Sequence, residues 1–118
     1  MKIQTFANRT GLSVYTLRYY EQLGLLVPPR NAAGHRSYGQ PEMDWVSFLK
    51  RLKDTGMPLE DMRRYAALRA EGDNTLLARR ALLAQHAEAL ENRLAEQVRH
   101  LAALQQKIGY YDQQIDLH

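Results

Sequence analysis

The 118-residue chain brings arginine and tyrosine together twice within a short span. Arg18 and Tyr19 follow Tyr15 and Thr16 by about one helical turn, and Arg30, His35, Arg36 and Tyr38 come next among turn-forming residues. An arginine guanidinium can fork onto a guanine edge or a phosphate, and Tyr and Thr hydroxyls donate to phosphate. One such set on a helix and another on the turn beside it could enter a DNA groove and hold the neighbouring backbone. The competing reading is a solvated helix face with aromatic rings as core filler, and Tyr20 is assigned to that role.

Charge supports the polyanion reading weakly. The formal net charge of +3 is uneven: residues 1–69 carry eleven Lys/Arg and six Asp/Glu, whereas residues 70–118 carry five and seven. A basic first half ahead of a near-neutral second half fits a DNA-binding head on a stalk. Other chemistry is poorly served. With no cysteine, disulfides, thiolate metal sites and thiol redox sensing are excluded for these residues. There is no Gly-rich phosphate loop and no HExxH spacing, so an enzyme is not expected. Glu60 and Asp61 read as dipole-favourable residues at a helix start rather than as paired catalytic carboxylates. His86 and His100, two heptads apart, could face each other in a dimer and take a metal, but read more simply as flanking residues of a helix. No metal and no cofactor are expected. Neither an apolar run of membrane-spanning length nor a signal-peptide core is found, so a cytoplasmic location is expected.

Elements must position these groups. Hydrophobic content of 45% with abundant Leu and Ala and scarce strand-forming runs predicts a mainly α chain. Residues 3–10 read as a helix with Ile3, Phe6 and Ala7 inward, ended by Gly11. Ser13 caps a second helix that turns Val14 and Leu17 inward and stops at Gly24. Two short helices joined by a Gly-containing turn are a helix-turn-helix signature. Pro28, Pro29, Asn31 and Gly34 interrupt helix, and the segments 25–27 and 36–38 are expected to pair as a small β-hairpin, a candidate wing. Pro41 opens a third helix with Trp45, Phe48, Leu49 and Leu52 on its apolar face. Pro58 opens a fourth, with Leu59, Met62, Tyr65 and Ala66 inward.

From Leu76 to about Ile115 no proline intervenes. Leu83, Ala87, Leu90, Leu94, Gln97, Leu101, Leu104, Ile108, Tyr111 and Ile115 alternate by four and three residues. Only Gln97 is polar, and it reads as a register-setting residue. Such a seam, roughly 60 Å long at 1.5 Å per residue, must bury its stripe against another long helix. The chain has no second one, so the expected partner is a copy of itself, with Leu83, Leu90, Leu94, Leu101, Leu104, Ile108, Tyr111 and Ile115 at the interface.

With these residues in view, the chain resembles the MerR family of bacterial transcription regulators. The likeness is carried by Leu12-Ser13, Thr16-Leu17-Arg18-Tyr19-Tyr20-Glu21, Leu23-Gly24-Leu25-Leu26 and Arg36-Ser37-Tyr38, and continues through Gly56-Met57-Pro58-Leu59-Glu60-Asp61. The resemblance implies a winged helix-turn-helix DNA-binding domain over residues 1–72 and a coiled-coil dimerisation helix over 73–118, paired antiparallel. It implies a homodimer on a pseudo-palindromic promoter operator, acting by bending and untwisting the DNA between promoter elements. RNA polymerase would then be a partner through the shared promoter DNA, and membranes would not. Carried over residue by residue, Ser13, Thr16, Arg18 and Tyr19 would contact DNA from the second helix and Arg36 and Tyr38 from the wing, with Arg30 and Lys53 as further phosphate contacts. The alternative from another class is an architectural or partner-recruiting DNA binder with little sequence preference.

The signal is less legible than the output. The segment from Arg69 to Leu83, with Lys107-Ile108-Gly109-Tyr110-Tyr111, is similar to a short branch of the family that responds to aldehydes and related electrophiles. That branch places a cysteine on the helix after the wing, and Arg51 stands at that place here. Electrophile sensing by a thiol is therefore not carried over.

Overall fold

The computed structural model describes all 118 residues. Five α-helices follow one another: α1 (Ile3–Thr10), α2 (Val14–Gln22), α3 (Gln40–Asp54), α4 (Leu59–Glu71) and α5 (Leu76–Leu117), with one turn of 3-10 helix at Asp73–Thr75 before α5. The mainly α expectation and the order of helices hold. Two units are distinguished, Met1–Leu82 and Leu83–His118. The first takes in the opening turns of α5, ten residues beyond the boundary that the sequence suggested.

Each helix of the first unit starts and stops for a local reason. Ser13 lies in extended backbone, and its Oγ accepts from the Thr16 backbone N–H at 3.0 Å, an N-cap contributing about 1 kcal/mol. Gly11 closes α1 at φ 73°, a left-handed conformation that costs glycine little, and donates its N–H to the Ala7 carbonyl. The Glu42 carboxylate reaches back to the Gly39 N–H at 2.8 Å, and Pro41 fits the first turn, where no intrahelical donor is lost.

Burial follows the apolar spacing. Phe6, Leu17, Leu25, Leu26, Val46 and Leu49 are enclosed, and α1 packs on both α2 and α3. Trp45 is buried, and its indole N–H donates to the Leu25 carbonyl at 2.7 Å, which ties α3 to the residues just past α2. Its ring stacks with Tyr65 of α4 at 5.9 Å, and the Arg69 guanidinium lies 4.2 Å above its face. Leu59, expected inward, is 43% exposed; Met62 and Ala66 form the buried face of α4.

The α4–α5 junction is held by Thr75, buried although polar. Its hydroxyl lies 2.6 Å from the Leu68 carbonyl and 2.7 Å from the Gly72 carbonyl, and it accepts from Arg79 Nε at 3.0 Å. Arg79 Nη2 also donates to the Gly72 carbonyl. These bonds, together with buried Leu82, fasten the start of α5 into the first unit.

The expected β-hairpin is not formed as two strands. Residues 25–39 are a tight turn carrying one antiparallel bridge, between Arg30 and Arg36. Asn31 donates to the His35 carbonyl at 2.8 Å and Ser37 to the Pro29 carbonyl at 2.8 Å. Pro29 has no N–H to donate back to Ser37, so the ladder ends after one rung. The Asn31 side chain accepts from the Ala33 and His35 N–H groups, and Gly34 takes φ 82° at the tip.

In the second unit α5 continues unbroken to Leu117. It exposes a run of large apolar side chains: Leu94, Leu101, Leu104, Ile108, Tyr111 and Ile115 are each more than half exposed, and Leu83 and Leu90 are partly so. No helix in the chain is long and apolar enough to cross a membrane.

Candidate nucleic-acid interface

The helix α2 and the turn at residues 28–38 enclose an open cleft of about 1140 Å³. Val14, Tyr15, Arg18, Tyr19, Glu21 and Gln22 line it from α2, Arg30, His35, Arg36 and Tyr38 from the turn, and Lys2 and Ile3 from the start of α1. Two residue sets separated in sequence by the seven residues 23–29 thus share one surface. It carries Lys2, Arg18, Arg30 and Arg36 against a single carboxylate, Glu21.

The helical set is presented by burial of the opposite face. Leu17 and Tyr20 are in the core, which leaves Arg18 and Tyr19 exposed, with Tyr15 81% exposed one turn earlier. Ser13 and Thr16 are engaged with each other: the Ser13 hydroxyl donates to Thr16 Oγ1 at 2.9 Å while capping the helix. Both remain at the helix N-terminus, where free backbone N–H groups and the helix dipole favour an anion.

The turn residues are constrained differently. Arg30 Nη1 donates to the Gly34 carbonyl at 2.9 Å and braces the tip. Arg36 Nε donates to Glu21 Oε1, a charge-assisted bond across fifteen residues that joins turn to helix. That bond, and then the carboxylate charge itself, raises the Arg36 pKa above its ordinary value. Only the Nε donor of Arg36 is taken up, and its side chain stays about half exposed.

Tyr38 departs from the expectation of an exposed phosphate contact. Its ring is 1% exposed and stacks on Phe6 with centroids 4.5 Å apart, and its hydroxyl is buried with no hydrogen-bond partner in the protein. The backbone explains this placement: Tyr38 exchanges hydrogen bonds with Met1, which draws the base of the turn onto α1. Burial is the main cause that raises the phenol's pKa; the Glu21 charge adds to it, while Arg36, Arg18 and Arg30 oppose it. Tyr20, assigned to the core from sequence, is buried there, and its pKa is likewise raised by burial and then by Asp54.

Lys53 is exposed near the end of α3 and does not line the cleft. Glu21 was not singled out from the sequence, because its partner lies beyond two prolines and a turn. No cluster of side chains suited to a metal ion is present. His100 lies 3.6 Å from Glu96 one turn before it on α5.

A helix-turn-helix with a basic, aromatic outer face and a braced turn beside it defines a DNA-binding module. The sequence comparisons place it more narrowly. A model described as MerR HTH family regulatory protein matches residues 1–68, and a second, described as MerR, DNA binding, matches residues 43–107. The chain belongs to the MerR family and is a DNA-binding transcriptional regulator. It is 36% identical over 106 residues to an uncharacterized HTH-type transcriptional regulator of Haemophilus influenzae, covering 89% of this chain and 78% of that protein. It is 37% identical over 91 residues to the HTH-type transcriptional regulator AdhR of Bacillus subtilis, covering 76% and 65% respectively. Among solved structures it is similar to HiNmlR, described as a MerR family regulator lacking the sensor domain, bound to promoter DNA. There the TM-score is 0.82 at 34% identity, with 94% of this chain and 89% of that one covered.

Proposed function

We propose that the chain acts as a homodimer on a pseudo-palindromic promoter operator, one head per half-site, and regulates transcription by bending and untwisting the intervening DNA. The observation that carries this reading is the exposed apolar seam of α5. Six large side chains from Leu94 to Ile115, each more than half in water, form a stripe that is covered when a second copy packs against it. A two-fold axis through such a pairing repeats the α2–turn cleft, and a repeated reader calls for an inverted repeat. Similarity to HiNmlR, solved on promoter DNA, supports the same target class.

Within the cleft we assign Arg18 and Tyr19 to the duplex from α2, with Ser13 and Thr16 at its N-terminal end and Arg30 and Arg36 on the flanking backbone. Lys53 is a candidate for a more distant phosphate. Backbone contacts would fix the register, and deformation of the DNA would supply the regulation. RNA polymerase would be met through the promoter both occupy, in keeping with a cytoplasmic location. We read the chain as a cysteine-free member near the aldehyde-responsive branch, in keeping with its likeness to AdhR. Arg51 is exposed on α3 and the chain has no thiol, so alkylation of a cysteine is not its trigger.

The test is selection of duplexes from a random-sequence library by the purified protein, followed by footprinting. An inverted repeat protected as one discrete block is expected. Continuous coating without sequence preference would favour an architectural role and overturn this reading.

A further inference from the structure

The cleft contains a carboxylate where a polyanion is to bind. Glu21 is 22% exposed in its side chain and sits among Lys2, Arg18, Arg30 and Arg36. An acidic group there repels phosphate unless its charge is engaged. The turn it faces has little else to set its angle: one β-bridge, no second rung, and two prolines at its entry. Its base is fixed by the Tyr38 ring on Phe6 and by the Tyr38–Met1 backbone bonds. Its outer part is joined to α2 by one ion pair, Arg36 to Glu21.

We propose that Glu21 is a positioning residue for DNA binding, which holds the Arg36 guanidinium by Nε and thereby sets the turn against α2 with the remaining donors of Arg36 available to a phosphate. The inference rests on the reading of the cleft as the DNA interface. The guanidinium is planar and carries five N–H donors, so a carboxylate bound at Nε fixes the plane without using all of them. The pair is solvent-accessible and therefore weak as a stabiliser of the fold. Its value lies in orientation: an Arg36 free to rotate would lose conformational entropy on meeting a phosphate, whereas a held one has already lost much of it. Two opposed effects of Glu21 are thus separable, since repulsion of DNA acts through charge alone and positioning acts through Arg36 alone.

The experiment is a double-mutant cycle of Glu21→Ala and Arg36→Ala, read by DNA binding across a salt series on the duplex that the wild-type protein selects. Glu21→Ala is expected to weaken binding by about fivefold per head. It should also flatten the plot of log K against log salt by about 0.9 per head, the loss of one phosphate contact. In the Arg36→Ala background the same change should weaken binding no further. Glu21→Gln keeps an oxygen to accept from Nε without the charge and should fall between the wild type and Glu21→Ala; it also serves should the alanine variant fold poorly. Tighter binding with a steeper salt dependence in both backgrounds would make Glu21 a mere repulsive charge and overturn the proposal. So would unchanged binding, or a loss that persists undiminished without Arg36. If the wild type selects no sequence, the regulator reading falls, and the same salt slopes on a random-sequence duplex still decide the role of Glu21.

Discussion

Replacing Tyr38 by Phe removes one oxygen from a ring that is 1% exposed, and leaves its stacking on Phe6 in place. That oxygen has no hydrogen-bond partner in the protein. A buried polar group left unpaired costs about 1–3 kcal/mol, which the dispersion attraction of that one atom offsets only in part. Tyr38→Phe is therefore expected to stabilise the first unit by about 1 kcal/mol, which for a domain of its size raises Tm by about 4–8 °C. The gain should widen in alkaline solution. Burial raises the phenol's pKa in the folded state, so above pH of about 10 the unfolded chain releases its proton first and wild-type stability declines with rising pH. Thermal melts followed by circular dichroism, at one fixed protein concentration, measure the effect. DNA affinity measured alongside should stay within about twofold of wild type, since a neutral hydroxyl that meets no phosphate contributes none of the roughly 1 kcal/mol of a typical hydrogen bond. A lowered Tm would show that the hydroxyl has a partner. A tenfold loss of affinity at unchanged Tm would show that it turns outward to DNA, as the sequence motif had suggested, and would refute its placement in the core. Truncation to alanine is a different perturbation: loss of the buried ring should cost about 3–5 kcal/mol, a large share of the head's stability.

Three further outcomes follow from the same geometry. Arg18→Ala should weaken binding to the selected duplex by roughly five- to 150-fold, on the scale of about 1–3 kcal/mol for a bidentate contact, while Tm is unchanged; equal affinity would remove Arg18 from the interface. Lysine at both Leu94 and Leu101 places four charges in the seam of a paired α5, and sedimentation should then report monomers; a persistent dimer would refute that seam. Thr75→Val keeps the shape of the side chain but strips the Leu68 and Gly72 carbonyls and Arg79 of their hydroxyl partner, at an expected cost of about 1–3 kcal/mol. No loss in Tm would show that water replaces the hydroxyl without penalty.

Much of the helical layout was legible because it rests on local rules. Ser13 beside Val14 and Leu17, Gly11 and Gly24 as stops, and Pro41 at a helix start each act within one or two turns, and the structure follows them. The heptad stripe of α5 was legible for the same reason, since a period of three and four residues needs only neighbours on one helix. The turn was not. Its residues promised a hairpin, but whether two segments form a ladder depends on the donors that face the partner, and Pro29 withholds the one the next bond needs. Tyr38 was not legible as a core residue, because the run Arg36-Ser37-Tyr38 does not say which of its side chains is covered. Which of them faces the core depends on Phe6, more than thirty residues away.

Glu21 marks the same limit within the interface. The sequence by itself determined the helices, the basic and aromatic residues available to DNA, the stripe on α5 and the absence of any thiol. These are properties of composition and short-range periodicity. Only the tertiary structure decided which of those residues share the cleft, that Tyr38 is core, and that Arg36 is held by a carboxylate fifteen positions earlier. Such pairings are set by how α1, α2 and the turn pack together. Side chains distant in sequence meet only when burial of the apolar faces brings their backbones together.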